Sequence, residues 1–224
     1  MSSTARIDAF IFDIDGTIID SMPYHNASWP AMLERHGFGD RHVELVRNSA
    51  GRTGVELMRE IFGPELPLDR AHALVEEKES LYRELFRPHF REVPGFAAFA
   101  RAAREHGLKI GLGTAGDANN IAFALEGLAM EGFFDAAVGA PDVARGKPEP
   151  DIFLEAARRM GVAPQHCVVF EDAPLGIEAA RRAGMRAVAL TTSLSPSEFE
   201  GLPHVVRICP HYLELPLSAV LASS

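Results

Sequence analysis

The stretch IDAFIFDIDGT, residues 7–17, decides how this chain folds. Its first half is a short apolar run rich in β-formers, which predicts a buried strand. The run stops at Asp13 and Asp15, which predict a loop, and Gly16 then allows the backbone to turn sharply. Because the two carboxylates are two residues apart on one turn, both can reach the same pocket.

Similar apolar runs recur downstream, at residues 109–113, 167–170, 187–190 and, more weakly, 205–208. Between them lie alanine-rich stretches of helical period, at residues 95–106, 119–128, 150–160 and 175–183. This alternation predicts an α/β fold with a Rossmann-like, mostly parallel sheet covered by helices on both faces. In such a sheet, ligands bind outside the carboxyl ends of the strands.

One long segment interrupts the alternation. From about Ser21 to Arg91 there is no convincing strand, only helical periodicity broken by glycines and prolines. We therefore expect an α/β core domain of residues 1–20 and 92–224, and a helical cap domain of residues 21–91. Because the insert follows the first strand directly, we expect it to act as a lid over the carboxyl end of that strand.

Composition excludes several classes of partner. The 224 residues carry a net charge of −9 and no lysine- or arginine-rich segment, which works against binding nucleic acid. No apolar run approaches the roughly 20 residues of a membrane helix, so we expect no membrane partner. The first residues lack the features of a signal peptide, and a cytoplasmic monomer or small homo-oligomer is the expectation.

The acidic turn has a chemical interpretation and a structural one. Asp13 could attack phosphorus as a covalent nucleophile, while Asp15 passes a proton to the leaving oxygen and later takes one from water. Alternatively, an Asp-rich turn can simply cap a helix. The pair alone does not decide between the two.

Three further stretches favour the chemical interpretation, and each follows a predicted strand or precedes a predicted helix. Thr114 and Ala115 are expected to open a helix, where a hydroxyl and backbone N–H groups can hold phosphate oxygens. Lys147 could neutralise the nucleophile and the transferring group, although an exposed loop lysine is the alternative. Glu171 and Asp172 end a strand and are hard oxygen ligands that suit Mg²⁺, although they could equally cap a surface helix.

The stretches DIDGT, the Thr114 turn, GKPEPDIF and FEDAPLGIEAA together resemble the four motifs of the haloacid dehalogenase (HAD) superfamily of phosphotransferases, over nearly the whole chain. The resemblance implies Asp13 as nucleophile and Asp15 as general acid and base. It implies Mg²⁺ bound by Asp13, the backbone carbonyl of Asp15 and Asp172, with Glu171 supporting. The residues implied to hold phosphate are Thr114, Ala115 and Lys147.

The helical insert resembles the β-phosphoglucomutase-like branch with a helical C1-type cap. That resemblance implies substrate or closure roles for His25, Arg52 and Lys78, with Trp29 as a packing anchor. A solvated or capping histidine and a salt-bridged lysine on a helix face are the alternatives. In the mutase the cap arginine lies in a Gly-x-x-Arg stretch, whereas here Arg52 follows a glycine directly, as is common in phosphatase relatives.

The sequence thus predicts Mg²⁺-dependent hydrolysis of a small phosphorylated metabolite, such as a sugar phosphate or pyrophosphate, through an aspartyl-phosphate on Asp13. A β-phosphoglucomutase-type reaction is the main alternative, and a non-catalytic binding module is a remote one. The stretch GLGTAG at residues 111–116, with Asp135 about 20 residues on, also spells a nicotinamide dehydrogenase fingerprint. That interpretation leaves Asp13, Lys147 and Asp172 without roles.

Overall fold

The computed structural model describes residues 6–42, 45 and 54–222. The chain divides into two compact units. One consists of Met1–Asp20 with Arg91–Ser224, and the other is Ser21–Phe90.

The unit Ser21–Phe90 is helical throughout its described elements, which are α1 (Met22–Arg35), α2 (Gly54–Phe62) and α3 (Leu68–Phe86). Apolar side chains from all three helices form its core, including Met32, Met58 and Leu74. Between the helices, where the backbone turns, lie Gly37, Gly63, Pro64 and Pro67, whereas Pro30 lies inside α1.

The other unit contains a six-stranded sheet with the order β3-β2-β1-β4-β5-β6, and every pairing is parallel. Its strands are β1 (Ala9–Phe12), β2 (Lys109–Gly113), β3 (Ala136–Val138), β4 (Cys167–Glu171), β5 (Arg186–Leu190) and β6 (Val205–Cys209). Because all the strands run in one direction, their carboxyl ends share one edge of the sheet. The predicted α/β fold with a parallel sheet is confirmed.

Helices follow the strands in this unit, at α4 (Phe96–Glu105), α5 (Ala118–Leu128), α6 (Asp151–Met160), α7 (Pro174–Arg182) and α8 (Leu217–Leu221). On one face of the sheet, Phe10, Phe12 and Phe170 pack against Phe96 and Phe99 of α4.

On the other face, Ile11 and Val169 belong to a cluster with side chains of α6 and α7. Burial on both faces explains why the central strands appear in the sequence as continuous apolar runs.

Among the strands and α-helices of the described residues, β3 and α8 were not foreseen. β3 is only three residues long and lies at the edge of the sheet, so its apolar run falls below the length that periodicity can identify. The five-residue α8 is equally short. Among the residues that the structure describes, no helix is both long and apolar enough to cross a bilayer.

Candidate active site

The parallel sheet brings distant motifs to one edge. Asp13 directly follows β1, Thr114 directly follows β2, and Glu171 ends β4 with Asp172 next in the chain. All four residues are buried. The neighbouring positions of β1, β2 and β4 in the sheet therefore place the first, second and fourth motifs side by side.

Lys147 completes this cluster from the loop that precedes α6. Its Nζ lies 2.6 Å from Oδ1 of Asp13 and 2.6 Å from Oε1 of Glu171. The side chain is only 8% exposed and its Nζ lies 5.0 Å from the ring centroid of Phe153. Lys147 is thus a buried, doubly paired cation, which is not the environment of an ordinary loop lysine.

The charges in this cluster perturb one another strongly. Burial raises the pKa of Asp13 well above its usual range; Lys147 opposes the shift, while Glu171 and Asp172 reinforce it. Burial and the neighbouring Glu171 raise the pKa of Asp172 to about 7. Burial alone would lower the pKa of Lys147, but the carboxylates of Asp13 and Glu171 outweigh it and hold that pKa above its ordinary value.

The same residues can accommodate a metal ion. Asp13, Glu171 and Asp172 each offer a carboxylate oxygen, and these oxygens lie within 4.8 Å of one another. Lys147 supplies one positive charge beside three buried carboxyl groups, so a further cation is needed to stabilise all three in their ionised form. Hard carboxylate oxygens in this arrangement suit a divalent cation that prefers oxygen ligands.

Glu171 is held by contacts at both of its oxygens. Oε2 accepts hydrogen bonds from the backbone N–H groups of Asp172 and Ala173, at 2.8 and 2.9 Å, and Oε1 accepts from Lys147. A Cβ at Gly176 would lie 1.8 Å from Oε1, so only glycine leaves room for this carboxylate. The sequence analysis did not single out Gly176, although a glycine in the first turns of a helix is a signal of close approach.

The Thr114 turn differs from the prediction. Helix α5 begins at Ala118, and Asp117 caps it by accepting a hydrogen bond from the backbone N–H of Asn120. Thr114 and Ala115 therefore do not open the helix, because a side-chain carboxylate occupies its N-terminus. The Oγ1 of Thr114 accepts a hydrogen bond from the N–H of Gly116 at 3.1 Å, and Ala115 is exposed.

A family model described as haloacid dehalogenase-like hydrolase matches residues 7–184. The chain belongs to this family. The match spans the acidic turn, the Thr114 turn, Lys147 and the Glu171–Asp172 pair, so the predicted superfamily is confirmed.

Similar proteins in this family include phosphatases and a phosphomutase. Fructose-1-phosphate phosphatase YqaB of Escherichia coli is 36% identical over 82% of this chain and 96% of its own length. Beta-phosphoglucomutase of Bacillus subtilis is 34% identical over 81% of this chain and 82% of its own. The crystal structure of a HAD hydrolase, family IA, variant 3, from Entamoeba histolytica has a TM-score of 0.88 at 25% identity, covering 97% of this chain and 99% of that one.

Within the helical unit of this HAD-like hydrolase, two of the predicted cap residues meet. Nζ of Lys78 lies 2.8 Å from Nδ1 of His25 and 3.0 Å from Oε1 of Glu79. It also lies 5.3 Å from the ring centroid of Trp29, while the His25 ring stacks on Tyr82 with 3.6 Å between centroids.

Lys78 is only 4% exposed and is paired with Glu79, so the salt bridge that was the alternative for this lysine is present, in a buried setting. Arg52 lies outside the described residues.

The dehydrogenase interpretation of GLGTAG fails on the position of Asp135. Its carboxylate accepts hydrogen bonds from the N–H of Ile110, from Arg104 and from Lys109. These partners lie at the amino end of β2 or on the helix before it, so Asp135 lies where the strands begin. The turn that follows Gly113 lies at the opposite end, where the strands finish. Asp135 therefore cannot bind a ribose there.

Proposed function

We propose that this chain is a Mg²⁺-dependent phosphatase that hydrolyses a small phosphorylated metabolite through an aspartyl-phosphate on Asp13. A sugar phosphate is the preferred substrate class, and inorganic pyrophosphate is the second. The observation that carries the proposal is the buried contact between Asp13 and Lys147, beside two further carboxylates whose oxygens fit a divalent cation. The relationship to a sugar-phosphate phosphatase supports the substrate class.

In the first proposed step, a carboxylate oxygen of Asp13 attacks phosphorus in line with the bond to the leaving oxygen. That bond breaks as the new O–P bond forms, and Asp15 gives the departing oxygen its proton. Lys147 stabilises the charge on the transferring group, helped by donors in the Thr114–Ala115 turn. Burial raises the pKa of Asp13, and a divalent cation bound beside it would oppose that shift and favour the ionised nucleophile.

In the second step, Asp15 takes a proton from a water molecule that attacks phosphorus. The Asp13–phosphorus bond then breaks and releases inorganic phosphate. Asp13, Asp172 and the Asp15 carbonyl would hold Mg²⁺, which supplies charge neutralisation for the approach of anionic oxygens. Glu171 orients the site through its contacts with Lys147 and the backbone.

Transfer to a sugar is the second candidate, and the relationship to a beta-phosphoglucomutase favours it. In the proposal, the helical unit carries residues that select the substrate, namely His25 and Lys78, together with Arg52. Hydrolysis is preferred because Arg52 directly follows Gly51 in the sequence, the arrangement that the family resemblance associates with phosphatases.

One screen separates the two candidates. Purified protein with Mg²⁺ is incubated with fructose 1-phosphate, β-glucose 1-phosphate plus a bisphosphate primer, and pyrophosphate. Release of inorganic phosphate supports the phosphatase, whereas formation of glucose 6-phosphate without phosphate release would establish the mutase.

Asp13→Asn is expected to abolish either reaction without unfolding the protein. Asp8→Asn serves as its matched control, because Asp8 pairs with His166 and has no role in the proposed chemistry. Appreciable turnover by Asp13→Asn would contradict the aspartyl-phosphate.

A further inference from the structure

The hydroxyl-rich loop after β5, residues 191–195, carries none of the functional roles described above. It follows the carboxyl end of β5, which is the neighbour of β4 in the sheet. It also lies beyond residue 184, where the match to the family model ends. Thr114 lies beside the site because the carboxyl ends of parallel strands meet at one end of the sheet. The same geometry brings the loop after β5 to the site.

Two side chains of this loop reach the acidic site. The Oγ1 of Thr192 donates a hydrogen bond to the backbone carbonyl of Gly16. The Oγ of Ser193 donates a hydrogen bond to Oδ2 of Asp172. Successive hydroxyls thus engage the turn of the first motif and the carboxylate of the fourth.

The acceptors of these two hydrogen bonds are themselves packed together. Gly16 has a φ of +73°, and a Cβ at this position would lie 2.0 Å from Oδ2 of Asp172 and 3.0 Å from Oγ of Ser193. The backbone of the DIDGT turn therefore lies directly against the Asp172 carboxylate, with the Ser193 hydroxyl beside both.

A hydrogen bond from a hydroxyl to a buried carboxylate restricts the rotation of that carboxylate. Asp172 is only 3% exposed, so few water molecules can replace the donor. Partners of this kind that orient a metal-binding carboxylate affect metal affinity without touching the metal. Thr192 holds the backbone of the acidic turn itself, because its acceptor Gly16 immediately follows Asp15.

We propose that Thr192 and Ser193 are positioning residues of this enzyme. Ser193 orients Asp172 for the divalent cation, and Thr192 fixes the turn that carries Asp15. This inference rests on the metal site of the proposed function. It predicts separate effects, since loss of Ser193 weakens metal binding and loss of Thr192 slows turnover.

The Ser193 role is tested by titrating Mg²⁺ into substrate-free protein at neutral pH and measuring heat, with Mn²⁺ electron paramagnetic resonance as a second readout. Ser193→Ala is expected to raise the Mg²⁺ Kd about 10-fold. Ser193→Thr keeps the donor and is expected to restore the affinity. Ser195→Ala is the matched control. Ser195 lies in the same loop as Ser193, but its exposed hydroxyl pairs with Ser197.

An unchanged Mg²⁺ Kd in Ser193→Ala, or an equal rise in Ser195→Ala, would overturn the role of Ser193. Wild-type protein that fails to bind Mg²⁺ would instead overturn the metal site itself. For Thr192, the Thr192→Val variant is expected to lower kcat about 10-fold with little change in KM, and Thr192→Ser to recover it. A Thr192→Val variant with wild-type kcat would overturn that half of the inference.

Discussion

The Nζ atom of Lys147 lies 2.6 Å from Oδ1 of Asp13, although the two residues are 134 positions apart in the chain. The same ammonium group contacts Glu171 at an equal distance. A single cation thus links the first motif to the fourth.

Replacing Lys147 should therefore impair chemistry more than binding. Lys147→Met is expected to lower kcat about 10²–10³-fold with a smaller change in KM, because a fixed donor to the transferring group is lost. Lys147→Arg should not restore activity, since the forked guanidinium differs in shape from a compact ammonium. Lys109→Met is the control, because that lysine is half exposed and pairs with Asp135. Near-normal steady-state kinetics in Lys147→Met would contradict the role of this residue.

Asp15→Asn tests proton transfer through its dependence on the leaving group. With a sugar phosphate, kcat is expected to fall about 10²–10⁴-fold, because the departing alkoxide needs a proton. With p-nitrophenyl phosphate the first step should be much less affected, so phospho-enzyme should accumulate when the reaction is quenched and analysed by mass spectrometry. Equal losses with both substrates and no phospho-enzyme would show that Asp15 is not the proton donor.

The raised pKa values of Asp13 and Asp172 predict how metal-free stability depends on pH. A carboxyl group whose pKa is higher in the folded state than in the unfolded state stabilises the fold at low pH. That stabilisation is lost as the pH rises from the unfolded-state pKa through the folded-state pKa. For Asp172 the window runs from about pH 4, its unperturbed value, to about 7. We therefore expect the Tm in chelator to fall across this window relative to that of Asp172→Asn.

The comparison with Asp172→Asn isolates this effect. Arginine neighbours hold the pKa of Glu155 and of Glu178 at about 2, so those groups titrate at lower pH in both proteins. Parallel Tm curves for the two proteins would contradict the prediction.

Adding Mg²⁺ should raise the Tm that the metal-free protein loses as the pH rises. At about 100 times its Kd, a ligand that binds only the folded state stabilises it by about 2.7 kcal/mol. For a chain of this size that corresponds to roughly 5–10 °C in Tm. The increase should be larger at pH 7 than at pH 5, because Mg²⁺ competes with protons for the carboxylates. Differential scanning fluorimetry in chelator and in Mg²⁺ measures it, and an increase that does not depend on pH would argue against carboxylate ligands.

Tyr212→Phe is expected to reduce the free energy of unfolding by about 1–3 kcal/mol. The Tyr212 hydroxyl donates to the backbone carbonyl of Thr17 at 3.1 Å, and both residues are buried, so the variant leaves that carbonyl without its donor. Burial raises the pKa of Tyr212 well above its ordinary value, which keeps the phenol protonated. Urea unfolding of the wild type and of Tyr212→Phe measures this change in the free energy of unfolding. Tyr24→Phe is the control, because Tyr24 is a half-buried tyrosine of the helical unit. Equal midpoints for the wild type and Tyr212→Phe would contradict this contribution.

Much of the fold could be predicted because its central strands are buried on both faces. Such strands appear as apolar runs that end abruptly at polar residues, and this identified β1, β2, β4 and β5, while the partly exposed outer strand β6 gave a weaker run. β3 was missed since three residues at the edge of a sheet carry too little pattern. The helical stretch predicted at residues 119–128 matches α5 within one residue, but Thr114 and Ala115 do not open it, because Asp117 caps the helix.

The sequence by itself determined the family, the parallel α/β fold and the candidate acidic pairs, because these depend on local patterns and on their order along the chain. Only the tertiary structure decided that Lys147 is buried between Asp13 and Glu171, that Gly176 leaves room for Glu171, and that Ser193 holds Asp172. These contacts join residues on different strands and loops. Their distances and burial arise only when the parallel strands bring their carboxyl ends to one edge, and no local pattern encodes them.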